Sequence, residues 1–110
     1  MSILSQIQQA VGKERKIVEL SGMGEEGASL LLYSTPVSMG DIDKAKRKNS
    51  DMTSGDFMSE IIIAKCETED GEKAFTLADK PGILRLPIKT ILAIFNQVFD
   101  SSSVEEHEKN

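Results

Sequence analysis

The stretch EIIIAKCETEDGEKAF, residues 60–75, decides the fold because it can form either a helix or a β-hairpin. Its isoleucines alternate as in a strand, β-branched residues favour strands, and EDGE would then be the hairpin turn before a return strand KAFTL. The upstream TSGD, residues 53–56, instead resembles a helix N-terminus. Periodicity alone leaves both structures open. The upstream signal favours a helix that ends near Glu67, after which Asp70 and Gly71 turn the chain.

The same helix-start signal occurs three times, as SMGD at 38–41, TSGD at 53–56 and TLAD at 76–79. In each, a Ser or Thr hydroxyl can accept a hydrogen bond from a free N–H group of the first turn. The Asp three residues later can accept one from the backbone of the capping residue. Three such signals predict a largely helical chain. The first would begin a solvated helix, because MGDIDKAKRKN has few apolar residues, and NSDMTSGD at 49–56 is typical of a linker.

The N-terminal third contains one short helix and two β-prone runs. SILSQIQQAV, residues 2–11, places its apolar residues at helical spacing, which predicts a short amphipathic helix. RKIVEL at 15–20 and SLLLYS at 29–34 flank a loop with three glycines, SGMGEEGA. Two strands around such a loop predict a short N-terminal β-hairpin.

The strongest periodic pattern begins near Pro87, a residue favoured in the first turn of a helix. Its apolar residues share one side at 100° per residue, and this stripe is wider than the roughly 100° that one core-facing side needs. Core packing is the simpler interpretation, and part of the stripe could be shared with another chain. The candidate partner-binding residues are Ile91, Leu92, Phe95 and Phe99.

These elements predict an α+β fold, namely a predominantly helical small domain with a short N-terminal β-hairpin. A chain of 110 residues is close to the commonest size of a single domain. We expect one domain over residues 1–100 and a disordered acidic tail, SSSVEEHEKN, over residues 101–110.

Composition and chemistry disfavour most enzymatic functions. The net charge of −5 disfavours general nucleic-acid binding, and a single cysteine allows no intramolecular disulfide. Cys66 has only His107 as a potential catalytic partner, and that histidine lies in the predicted tail. The same two residues are too few for a zinc site. We expect no catalytic residues, no cofactor and no metal, in a cytoplasmic protein that has no membrane span.

One basic cluster, KAKRK at Lys44–Lys48, stands out in this acidic chain. It could contact nucleic acid or an acidic partner, which would make the chain a small regulatory protein. The simpler interpretation is a solvated helix face. No aromatic residue interleaves the cluster, so stacking on bases has no support.

The order of the elements resembles the tail assembly chaperones of long-tailed, siphovirus-type bacteriophages. The resemblance rests on FMSEIIIAKCETEDGEKAFTLAD at 57–79, an apolar helix followed by an acidic turn, a Phe-Thr segment and an acidic helix start. LPIKTILAIFNQVF at 86–99 resembles the terminal amphipathic helix of that family. YSTPVSMGDID at 33–43, a strand that leads into a capped helix, also fits, so the resemblance covers most of residues 15–100. The Pro81-Gly82 break and the N-terminal helix depart from the family pattern.

The resemblance implies a non-catalytic chaperone that binds the tape measure protein during tail assembly and then leaves. It also implies a tendency to form homo-oligomers. Many family members are made in a second, longer form by a −1 ribosomal frameshift, so a frameshifted longer form of this chain is a possible partner. A slippery A-AAA-AAY heptamer would decode as Lys109-Asn110 at the end of the sequence.

Overall fold

The helices and strands of the chain are defined in a computed structural model that describes residues 2–11 and 14–99. The predicted tail at 101–110 lies outside these residues. The elements in chain order are α1 (Ile3–Val11), β1 (Lys16–Leu20), β2 (Leu30–Ser34), α2 (Met39–Lys48), α3 (Gly55–Lys65), β3 (Cys66–Glu67), α4 (Lys80–Leu84) and α5 (Ile88–Phe99). Single turns of 3-10 helix cover Glu25–Gly27 and Leu77–Asp79.

The three strands form one antiparallel sheet in the order β1-β2-β3. β1 and β2 make the predicted hairpin, in register from Lys16 opposite Ser34 to Leu20 opposite Leu30. β3 follows α3 and pairs with the end of β2, placing Cys66 opposite Ser34. The predicted fold class was a predominantly helical domain with a short N-terminal β-hairpin. This prediction is wrong because the sheet has a third strand outside the hairpin. The chain is an α+β domain with a three-stranded sheet that includes residues from its middle.

The stretch 60–75 combines features of both predicted structures. It is helical as far as Lys65, so the predicted helix ends earlier than Glu67, because pairing with β2 takes Cys66–Glu67 into the sheet. The turn is closed by the Thr68 N–H donating to the Glu72 carbonyl at 2.8 Å. Gly71 has a φ of 87°, a conformation that favours glycine. Beyond this turn only Lys73 bridges back to Glu67, so KAFTL forms no regular return strand.

Hydrogen-bonded caps begin the helices near the predicted positions. At the start of α2 the Asp41 N–H donates to the Ser38 hydroxyl and the Ser38 N–H donates to the Asp41 carboxylate. α3 is capped by Ser54 rather than by the predicted Thr53, because the Phe57 N–H donates to the Ser54 hydroxyl. The N–H and the hydroxyl of Thr53 both donate to the Asp51 carboxylate, so Thr53 stabilises the linker and does not cap α3.

The helix α3 lies at the centre of the core, in contact with α2, α4 and α5. Its buried side chains lie on several sides of the helix, which explains why its apolar residues do not form one narrow stripe. α2 is mostly solvated, as predicted, but it buries Ala45 where it packs on α3. The buried apolar core comprises Val18, Leu20, Leu32, Ala45, Phe57, Ile61, Ile62, Ile63, Cys66, Ile83, Ile91, Ile94, Phe95 and Val98.

The helix α5 covers the outer edge of strand β1. The Gln97 side-chain carbonyl accepts from the Glu19 N–H at 2.9 Å, and the Gln97 side-chain amide donates to the Glu19 carbonyl at 3.1 Å. The Lys16 ammonium also donates to the Gln97 backbone carbonyl. The side chain of Gln97 therefore takes the place that a neighbouring strand would occupy beside Glu19.

Two lysines join neighbouring helices through carboxylates. Lys80, at the start of α4, binds Asp56 and lies 2.8 Å from a Glu60 carboxylate oxygen, both on α3. Hydrogen bonds to Asp56 and then Glu60 raise the pKa of the Lys80 ammonium. Lys65, at the end of α3, lies 2.9 Å from the Asp41 carboxylate of the α2 cap. These pairs link α2 and α4 to the central helix.

Candidate partner-binding surfaces

The predicted partner-binding residues on α5 belong mainly to the core. Ile91 and Phe95 are buried, with Phe95 only 8% exposed, whereas Leu92 and Phe99 are half-buried. The ring centroids of Phe95 and Phe99 lie 5.1 Å apart in a stacked arrangement, as their spacing predicts. Phe57 on α3 meets both rings edge-on at 6.2 and 6.4 Å. As the chain is folded here, only parts of Leu92 and Phe99 are open to a partner, and partner binding by these four residues stays a prediction.

An exposed apolar stripe lies instead on α1. Ile3, Leu4, Ile7 and Val11 are between 42% and 77% exposed, and the helix has no buried residue. None of the other described helices and strands packs closely against it. The amphipathic pattern of residues 2–11 was visible in the sequence, but that pattern alone did not indicate that the apolar side faces solvent.

A groove beside α4 forms a second apolar surface. It has a volume of about 380 Å³ and is lined by Ala74, Phe75, Asp79, Gly82, Ile83 and Leu86. Asp79 is the only charged side chain of the lining, and its carboxylate accepts from the Thr76 N–H at 2.8 Å. The groove is built from an irregular segment and a short helix, neither of which has a periodic pattern, so no local signal in the sequence identifies it.

The basic cluster Lys44–Lys48 lies on the last turns of α2. Lys44, Lys46, Arg47 and Lys48 are exposed, while Ala45 between them is buried against α3. Cations near a helix C-terminus interact favourably with the helix dipole. None of the ion pairs among the described residues involves these four side chains. They are available to an anionic partner, and they also fit the solvated face that we considered simpler.

The segment that leads from α1 into the sheet is held by Arg15. Its guanidinium group donates to the Glu67 carboxylate at 3.2 Å and to the backbone carbonyls of Thr68 and Glu69. The same group lies 4.6 Å from the centroid of the Tyr33 ring, a distance suited to a cation–π interaction. Arg15 thus ties the segment before β1 to the turn that follows β3.

Cys66 lies in a setting unsuited to nucleophilic chemistry. It is fully buried in β3, and burial raises the pKa of its thiol to about 12, an effect that the nearby Lys73 ammonium only partly offsets. Such a thiol carries almost no thiolate at neutral pH. Across residues 2–11 and 14–99, no three Cys, His, Asp or Glu side chains come together as metal ligands would.

Comparisons of the chain with family models, with curated proteins and with solved structures found no match. Among the described helices, none has the length and apolar content needed to cross a membrane.

Proposed function

We propose that the chain is a non-catalytic tail assembly chaperone of a long-tailed bacteriophage, which binds the tape measure protein during tail assembly in the host cytoplasm. Its partners in this proposal are the tape measure protein, further copies of itself and a frameshifted longer form. The proposal is supported by the resemblance of residues 15–100 to that family and by the surface of the domain.

The observation that carries the proposal is the resemblance of residues 57–79 and 86–99 to the family. The apolar surface of α1, a helix that departs from the family pattern, adds a candidate site for the client. Contiguous exposed apolar patches on a folded protein mark sites of interaction with other proteins. The stripe of α1 lies on a chain with a net charge of −5, which keeps the chain in solution. A chaperone for a long, apolar and helical client needs both properties, because it must cover the client without precipitating with it.

Coexpression with the tape measure protein of the same genome tests the proposal. We expect the tape measure protein to remain in the supernatant with the chaperone and to precipitate without it. A suitable negative control is a variant with Ile3, Leu4 and Ile7 changed to Gln. A client that stays insoluble with the unaltered chain, or a genome without a neighbouring gene for a very long helical protein, would contradict the proposal.

A second candidate is a small regulatory protein that contacts nucleic acid through Lys44–Lys48. Four exposed cations on one helix end favour it, since counterion release at phosphates drives such binding. A duplex titration at physiological salt separates the two functions. A Kd below about 1 µM, tighter than typical non-specific binding, would favour the regulatory protein if Lys-to-Gln changes at 44, 46 and 48 abolished it.

A further inference from the structure

The segment that packs on α3 just before α5 is attached to the domain by few apolar contacts. We call residues 77–86 the strap, which comprises a 3-10 turn, α4 and the two residues after α4. Within this described segment only Ile83 is buried, whereas Leu77, Leu84 and Leu86 are between 37% and 67% exposed. The strap therefore gains little of the apolar burial that stabilises a folded chain.

The backbone of the strap makes its hydrogen bonds locally. The Arg85 N–H donates to the Gly82 carbonyl at 3.1 Å, and the Leu86 N–H donates to the Ile83 carbonyl at 3.0 Å. The Asp79 N–H donates to the residue just before the strap. Among the described residues, no backbone group of the strap pairs with α3, α5 or the sheet. The strap can thus leave α3 without breaking a backbone hydrogen bond to another element.

The side of α3 that faces the strap is poor in apolar residues. A Cβ atom added at Gly55 would lie 3.1 Å from the Leu84 side chain, so this side of the helix passes through Gly55. By helical spacing and by the ion pairs of Lys80, the residues on this side are Gly55, Asp56, Ser59, Glu60 and Ile63. Only Ile63 among them has a large apolar side chain, so apolar packing contributes little to this contact.

Lys80 supplies the polar link between the strap and α3. Its ammonium group binds Asp56 and lies 2.8 Å from a Glu60 carboxylate oxygen. These two carboxylates are four residues apart on the helix, a spacing at which like charges repel each other. The lysine offsets that repulsion, so the closed strap and α3 stabilise each other. The attachment depends mainly on one cation and one buried isoleucine.

We propose that Lys80 is a latch and that the strap opens as a unit while the rest of the domain stays folded. Parts of a protein with few buried apolar contacts open at a lower free energy than the core. Opening brings Ile83 and Ile63 to solvent and leaves Asp56 and Glu60 without their cation. The open form thus presents an apolar and anionic surface that the closed form hides. This conformational device does not depend on the proposed chaperone function.

Native-state hydrogen exchange followed by NMR tests whether the strap opens by itself. The Arg85 and Leu86 amides report on the strap, and the Cys66 amide, at the end of α3, reports on the core. Val18→Ala removes buried atoms from the sheet, outside the strap. We expect exchange at Cys66 to become at least ~10-fold faster and exchange at Arg85 and Leu86 to stay unchanged, because Val18 remains packed when the strap opens.

Two results of that experiment would overturn the proposal. Equal acceleration at all three amides would mean that the strap opens only when the whole domain unfolds. Exchange at Arg85 and Leu86 as fast as in an unfolded peptide would mean that the strap is not closed in the first place.

Lys80→Met tests the latch, because it keeps the length of the side chain and removes its charge. We expect exchange at Arg85 and Leu86 to become at least ~5-fold faster. In the unaltered chain, about 1 M NaCl should speed the same two amides, since salt screens the ion pairs, and it should have no such effect in Lys80→Met.

Lys89→Met is the matched control for the latch. Lys89 is exposed on α5 and takes part in none of the ion pairs among the described residues, so its loss should leave the exchange rates of the strap unchanged. Circular dichroism verifies that each variant is folded. Unchanged strap exchange in Lys80→Met, or the same response to salt with and without Lys80, would overturn the role of this lysine as a latch.

Discussion

The helices α5 and α1 both place apolar residues at helical spacing, yet α5 buries most of its stripe and α1 exposes all of its own. α5 follows α4 closely and packs on α3 and β1, where Phe95 meets Phe57. α1 has no buried residue and meets no other described element closely. The difference teaches that an amphipathic pattern identifies the side of a helix that needs to be buried. It does not identify the element or the molecule that buries that side.

The largest loss of stability should come from a substitution in the buried stripe of α5. We expect Phe95→Ala to lower the free energy of unfolding by about 3–5 kcal/mol, because it removes a ring packed against Phe57 and Phe99 and leaves a cavity. Urea denaturation measures this. Ile88→Ala on the same helix is the control, since Ile88 is 76% exposed and should change stability by less than ~0.5 kcal/mol. A loss below about 1 kcal/mol at Phe95 would mean that the stripe of α5 is not core.

A smaller loss of stability should follow from removing the hydrogen bonds that join α5 to the sheet. Gln97→Ala removes both hydrogen bonds to the Glu19 backbone, and we expect a loss of about 1–2 kcal/mol. Hydrogen exchange should become faster at the Glu19 amide. Asn96→Ala, at an exposed neighbouring position, should leave both quantities unchanged. Unaltered exchange at Glu19 in Gln97→Ala would show that another group replaces the amide.

The cap of α2 should contribute about 1 kcal/mol at neutral pH. Burial alone would raise the pKa of the Asp41 carboxyl, but hydrogen bonds from Ser38 and Lys65 outweigh it and lower the pKa below its ordinary value of 3.8. A lowered pKa stabilises the fold above pH 3.8, and this stabilisation is lost as the pH falls through the folded-state pKa. Asp41→Asn should therefore be less stable at pH 7 and lose less stability on acidification.

The exposed Asp43 on the same helix provides the control for that measurement. Asp43→Asn should leave the free energy of unfolding at pH 7, measured by urea denaturation, within ~0.5 kcal/mol of the value for the unaltered chain. Equal acid sensitivity of the unaltered chain and Asp41→Asn between pH 5 and pH 2 would contradict the role assigned to Asp41.

The smallest change in stability should come from a substitution in the exposed stripe of α1. Ile7→Gln should change the free energy of unfolding by less than ~0.5 kcal/mol when it is measured at low micromolar concentration, where self-association contributes least. Denaturation at several concentrations checks this. A loss above 1 kcal/mol that does not depend on concentration would mean that α1 packs on its own domain.

Much of the fold follows from local sequence signals. The hydroxyl and carboxylate of Ser38 and Asp41 begin α2 where their spacing predicts, and Pro87 precedes α5. Strand β3 could not be found in this way, because its two residues pair with Tyr33 and Ser34, more than thirty positions earlier. Tertiary pairing, rather than local propensity, ended α3 at Lys65.

The candidate surfaces also differ in how much of each could be predicted from the sequence. The stripe of α1 is a local pattern and was visible in the sequence, although its exposure was not. The groove brings Phe75 together with Ile83 and Leu86 through a turn of irregular backbone, so only the folded chain reveals it. The residues predicted on α5 were chosen from periodicity, which cannot separate a stripe that faces the core from one that faces a partner.

The contact between Gln97 and Glu19 has a consequence for how copies of this chain can accumulate. Unpaired strand edges are templates for chain-to-chain pairing into fibrils. Here the outer edge of β1 is occupied by a side chain at Glu19, and the opposite edge is a strand of only two residues that its own turn covers at Lys73. Residues 30–32 of β2 lie beyond the reach of β3, so pairing between sheets is confined to this short stretch. Cross-β fibres form from segments of about six or seven residues, so crowded copies should meet first through the exposed α1, in reversible assemblies that dilution dissolves.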